Sequence, residues 1–188
     1  MKKIILMCSV AMVALTAGCK KVKDLADISV DIPYTQQVTV PPVDGYTFGF
    51  PLPAGGVNLP FPAFSVPTNS KSYLDQYHTT SAKVRKVDLK GLTIQLTAPA
   101  SQNFDFLDTV QLFIAAPSQP EVLVAYGYNI PKGQTIFVMT TNTDVNLKDY
   151  FLQDTMYFRT NMHVNAVPAP GAQMNIKSIF NLVANPLY

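Results

Sequence analysis

Two long runs of strict alternation constrain this chain more than any other feature. Met156, Phe158, Thr160, Met162, Val164 and Ala166 alternate with Tyr157, Arg159, Asn161, His163 and Asn165. After Pro168-Ala169-Pro170-Gly171, the residues Met174, Ile176, Ser178, Phe180, Leu182 and Ala184 alternate with Gln173, Asn175 and Lys177. Successive side chains of a strand point to opposite faces, so a period of two over this length describes a strand buried on one face. An α-helix cannot gather that pattern into one apolar stripe. The turn residues between the runs predict that they pair as a long hairpin.

The same reading extends upstream. Ile28, Val30, Ile32 and Tyr34 share a phase that resumes after Gln36 at Val38 and Val40. Pro33 has no N–H to give a ladder, which puts this strand at an edge or beside a bulge. Val87 and Leu89 hold one phase and Leu92, Ile94 and Leu96 the other; the switch at Gly91 predicts a β-bulge. Thr109–Ala115 and Glu121–Tyr126 read as a hairpin across Pro117-Ser118-Gln119-Pro120, and 135–140 as a further strand. Asn103 to Asp108 reads as a structured turn with buried aromatics. Two short helices are expected: one capped at Thr68, Asn69 or Ser70 with Leu74 and Tyr77 on one side, one capped at Thr143 or Asp144 with Leu147, Tyr150 and Phe151. The sum is one all-β domain over residues 28–188, an antiparallel β-sandwich, immunoglobulin-like or similar, of about eight strands. A closed barrel is the alternative. An outer-membrane barrel would need many more strands of about 10 residues with lipid-facing bands.

Residues 41–68 break the pattern. Seven prolines lie from Pro41 to Pro67, and no charged residue lies from Gly45 to Ser70. Disordered linkers are polar and poor in aromatics, yet this stretch carries Tyr46, Phe48, Phe50, Phe61 and Phe64. Gly55-Gly56 could turn a ribbon between Phe48–Pro53 and Val57–Ala63. The segment either folds over its own core or displays an apolar surface to a partner or to lipid. Those five aromatics are the candidate contacts for a protein partner or an apolar ligand.

The N-terminus carries a different signal. Lys2-Lys3 is followed by Ile4–Ala17, 14 mostly apolar residues, and then by Gly18-Cys19. That run is shorter than the roughly 20 residues of a membrane-spanning helix. It has the charged, apolar and small-residue parts of a secretory signal. Leu15-Thr16-Ala17-Gly18-Cys19 resembles the lipobox of bacterial lipoproteins, although the family more often has leucine where Thr16 stands. The resemblance implies removal of residues 1–18 and a multiply acylated Cys19, with palmitate-type chains holding the protein to the membrane. One acyl chain anchors only marginally, whereas several hold firmly. Residues 19–27 would then be the lipidated cysteine and a tether, in which Lys20, Lys21 and Lys23 either meet anionic head groups or are simply solvated. In the Gram-negative family an aspartate after the cysteine favours inner-membrane retention. Lys20 stands there, which favours the outer membrane, on its periplasmic or its outer face.

Cleavage would remove Cys8 and leave Cys19 as the one cysteine, so the domain would have to be held by its core rather than by disulfides. It would also remove Lys2 and Lys3, bringing the 14 basic residues to 12, level with the 12 acidic ones. A balanced net charge gives no case for nucleic acid, which would need a clustered basic surface. No Gly-x-Ser-x-Gly nucleophile is present, and His78 and His163 match no metal spacing. Glu121 is the sole glutamate, and pairs such as Asp105/Asp108 and Asp149/Asp154 fall in turns, where aspartate caps backbone N–H groups. Asn142-x-Asp144-x-Asn146 imitates half an EF-hand loop, but Leu147 and Gln153 stand where glycine and glutamate are required. The expectation is a membrane-anchored envelope protein, not an enzyme, without cofactor or metal, acting as a binding or structural module. The alternative is a carrier of lipid or another apolar ligand between its sheets.

Overall fold

The computed structural model describes residues 27–39, 52–61, 63–169 and 171–185. Among them, β1 (Ile28–Thr39), β4 (Val84–Ala98), β7 (Ile136–Val138) and β10 (Gln173–Ala184) form one antiparallel sheet in the order β1-β10-β4-β7. The second sheet contains β2 (Val57–Pro60), β3 (Phe64–Pro67), β5 (Leu107–Ala116), β6 (Gln119–Tyr128), β8 (Thr140–Thr141) and β9 (Thr155–Val164). Its order is β2-β9-β5-β6-β8, with β3 also on β9. The short helices are α1 (Ser70–Gln76) and α2 (Lys148–Phe151). The fold is an antiparallel β-sandwich of the all-β class.

The alternating residues meet between the layers. Ile32, Leu89, Leu92, Phe180 and Leu182 face Val110, Ile114, Met156 and Phe158, all of them buried. Each large side chain taken out of water contributes about 1.5–3 kcal/mol. At Gly91 the register of β4 against β10 shifts between Ile179 and Phe180, so the bulge returns Leu92 to the same interior that Leu89 enters. β1 lies at a sheet edge, where Pro33 forfeits no central ladder bond. β5 and β6 form the expected hairpin, turning at Ser118 with φ 63°.

Three expectations are corrected. β9 and β10 do not form a hairpin: β9 pairs with β5 on one side and with β2 and β3 on the other, and β10 lies between β1 and β4. Alternation states which face is buried, not which sheet holds the strand, and the connection from Val164 to Gln173 is long enough to cross between layers. The run 135–140 also crosses. β7 pairs with β4, Met139 is buried at the crossing, and β8 pairs with β6 in the other sheet. Finally, neither Thr143 nor Asp144 caps α2. Asn146 does comparable work, its Oδ1 accepting from the N–H groups of Lys148 at 3.0 Å and Val87 at 3.2 Å.

Gly55 and Gly56 turn the chain, with the Gly56 N–H bonded to the Pro53 oxygen at 3.0 Å. Gly56 has φ 79°, and a Cβ there would collide with the Val164 carbonyl. The strand that follows pairs with β9; residues 48–51 of the expected ribbon lie outside the described residues. β2 and β3 run end to end along β9. Their register advances by one between Pro60↔Asn161 and Phe64↔Phe158, so Leu59 before the shift and Phe64 after it both face inward.

Candidate binding cleft

One flank of the sandwich is stitched by the crossing at Met139. On the opposite flank the two layers end in separate edges, β1 in one sheet and β2–β3 in the other. A cleft lies between those edges.

Its inner end is closed by aromatics. Tyr34 points inward from β1 and packs edge-on against Phe180 at 5.6 Å and Tyr73 at 5.9 Å between ring centroids. Its hydroxyl donates to the Thr68 carbonyl, which follows β3. Thr68 is fully buried and bonds through its own hydroxyl to the Gln153 oxygen at 2.5 Å. Burial raises the pKa of Tyr34 well above the ordinary tyrosine value, and the neighbouring Tyr73 adds to the rise.

From Tyr34 the gap first forms a small enclosed cavity of about 50 Å³, bounded by Phe64, Val66, Leu92, Phe158 and Ile176 among others. It then opens into a groove of about 430 Å³ flanked by Val38, Phe61, Phe64, Met162, Met174 and Ile176. The enclosed part exceeds the roughly 10–15 Å³ that one water requires but is far below a ligand site. The groove falls within the ~300–1,000 Å³ of small-molecule pockets. Its few polar groups include Gln36, Gln37 and Thr160 along the groove and Ser178 in the deeper part. Phe64 stacks on Phe158 at 5.6 Å and 15°, which fixes the wall shared by cavity and groove. Met162 and Met174 are buried, unbranched and polarizable, so they adapt to an occupant's shape.

Of the candidate contacts, Phe61 and Phe64 are partly buried, packed against the core, and come together at this cleft. Tyr46, Phe48, Phe50 and Cys19 lie outside the described residues. Val38, Met162, Met174 and Ile176 were read from sequence as ordinary interior positions. The one local signal was Gln36, a polar residue in the inward phase of β1, which sits at the cleft.

Of the polar groups weighed for catalysis, Asp105, Asp108 and His163 are engaged in structure. Asp105 accepts from the Gly133 N–H at 2.5 Å, and its own N–H is capped by Asn103 at 3.0 Å. Asp108 meets Lys132 at 3.3 Å, Asn165 at 2.8 Å and His163 at 3.5 Å. Among the described residues no cluster of three or more His, Cys, Asp or Glu side chains could hold a metal ion. No helix among them is long and apolar enough to cross a membrane.

No protein-family model matches the chain. No curated protein matches it either. A solved structure from Desmodium yellow mottle tymovirus is similar at 14% identity and a TM-score of 0.23, over 86% of this chain and 91% of that one. A likeness of that size supports no functional comparison.

Proposed function

We propose that this chain is a lipid-anchored protein of the cell envelope, held at the outer membrane through Cys19, and that it works by binding rather than by catalysis. The observation that carries the binding half is the apolar groove between the edges of β1 and β3. It is bordered by Val38, Phe61, Phe64 and Met174 and continues inward. The anchor half rests on Lys2-Lys3, the apolar run and Leu15-Thr16-Ala17-Gly18-Cys19. An anchored domain needs no long-range steering, and its local concentration at the membrane raises the occupancy of a modest site.

Carriage of a lipid is the second reading, and the apolar lining favours it. The enclosed part of the cleft is too small for an acyl chain unless β3 moves away from β1, so a carried chain would lie in the groove. Titration of the full-length protein with a fluorescent fatty acid tests the cleft. Saturable binding in wild type, reduced at least tenfold in Val38→Glu with an unchanged circular dichroism spectrum, supports the cleft as a lipid site. Binding unaffected by Val38→Glu would remove it. No saturable binding in wild type would leave the partner-binding reading and eliminate the carrier.

A further inference from the structure

The two outer faces of the sandwich are built differently. The four-stranded sheet carries the exposed ion pair Lys90–Asp31 at 2.6 Å and the pair Lys86–Asp88 at 3.2 Å, in which Asp88 is buried. On the six-stranded sheet, register sets outward residues in rows across β9, β5 and β6. Tyr157 lies opposite Ala115, Arg159 opposite Phe113, Asn161 opposite Gln111, and His163 opposite Thr109; Gln111 and Thr109 lie opposite Tyr126 and Tyr128 on β6. Tyr157 at one corner is 42% exposed and Tyr128 at the other is 52% exposed. The strand positions between those corners span about 20 Å at roughly 3.4 Å per residue.

The polar groups along this diagonal are fixed. Arg159 lies over the Phe113 ring at 4.4 Å, donates to Glu121 at 2.7 and 2.5 Å, and donates to Asn161 Oδ1 at 2.6 Å. Gln111 donates to the Tyr128 hydroxyl at 3.3 Å, and the Tyr126 and Tyr128 rings are 5.1 Å apart. Arg159 is balanced by Glu121, and Lys132 by Asp108 beside His163.

We infer that this face binds a neutral polysaccharide, whose sugar rings stack on Tyr157 at one end and on Tyr126 and Tyr128 at the other. The balanced charges offer no net field to nucleic acid or to anionic lipid. The hydrocarbon of a membrane would strip water from Arg159, Gln111 and Asn161 without replacing its hydrogen bonds. A sugar ring has an apolar C–H face that suits an aromatic ring and a rim of hydroxyls that suits planar amide and guanidinium groups. A guanidinium has five N–H donors, and Arg159 commits three to Glu121 and Asn161, which leaves one on each terminal nitrogen. Because these groups hold one another in place, little side-chain freedom is lost on binding.

The test is affinity electrophoresis of the full-length protein through gels containing neutral α-glucan, β-glucan, mannan, xylan or galactan. At least one should retard the wild type. Tyr157→Ala and Tyr128→Ala, which alter opposite ends of the track, should each weaken that retardation at least tenfold, while Ile179→Ala on the other sheet leaves it unchanged. Unchanged thermal midpoints establish that the variants are folded. Retardation by none of the five, or retardation that survives both tyrosine substitutions, overturns the proposal. So does a tyrosine-dependent dimer in sedimentation without polysaccharide binding, which would assign the face to a second copy of the chain.

Discussion

The Tyr34 hydroxyl donates to the carbonyl of Thr68 and so ties the edge strand of one sheet to the segment that leaves the edge of the other. This contact closes the inner end of the cleft, and it sits where burial raises the pKa of the phenol. A group whose folded pKa is raised contributes its full stability below its unfolded value and loses it as pH rises. The wild-type thermal midpoint should therefore fall as pH climbs above about 10.

Tyr34→Phe separates the two effects. At neutral pH it leaves the buried Thr68 carbonyl without this donor and should cost about 1–3 kcal/mol. Above pH ~10 its midpoint should decline less steeply than wild type, because the titrating group is gone. Parallel pH curves for the two proteins would contradict the assignment.

Phe180 and Ile179 are neighbours on β10 with opposite fates, 1% and 40% exposed. Phe180→Ala should cost about 3–5 kcal/mol. Ile179→Ala should stay within about 0.5 kcal/mol. Denaturant titrations of both variants check the register directly, since a slip of one residue would exchange the two values.

Deleting Ala63 should remove the register shift between β2 and β3. The continuous ladder would then run from Pro60 opposite Asn161 to Phe64 still opposite Phe158, with Phe64 and Val66 inward as before, so the cost should stay within about 1 kcal/mol. Ala63→Ser keeps the length and should be close to neutral. A loss of about 3 kcal/mol or more on deletion alone would contradict the register, because it would mean that Phe64 and Val66 had left the interior.

Hydrogen bonding to Arg159 lowers the pKa of Glu121, against a smaller opposing effect of burial. Its contribution is thus present above the ordinary glutamate range and disappears as pH falls through the lowered value. Both side chains are partly exposed, so solvent screening limits the coupling to about 1 kcal/mol or less. A double-mutant cycle of Glu121→Gln and Arg159→Gln should show that coupling at pH ~7 and lose it near pH ~2; a coupling that persists in acid would contradict the ionic account.

The fold class and most strand positions were legible because burial on one face leaves a period of two, as in β9 and β10. The bulge at Gly91 was legible because it inverts that period within one strand. Layer assignment was not legible: β9 and β10 carry equivalent patterns yet lie in different sheets, and Ile136–Thr141 changes sheets at Met139 within one apolar run. Phe61 and Phe64 could be singled out as candidates from their uncharged surroundings. The rest of the lining, Val38 and Met174 on the opposite wall and Met162 on the neighbouring β9, could not, because an interior residue and a cleft residue obey the same alternation.

The central claim is that a lipidated cysteine holds this sandwich at the envelope. Intact mass spectrometry of protein extracted from membranes of a Gram-negative host tests it most directly. The account predicts a chain that begins at Cys19 and carries acyl chains, and a Cys19→Ala variant that carries none and moves to the soluble fraction. Wild-type protein that retains residues 1–18 without acylation, or a Cys19→Ala variant that stays wholly membrane-bound, would contradict it.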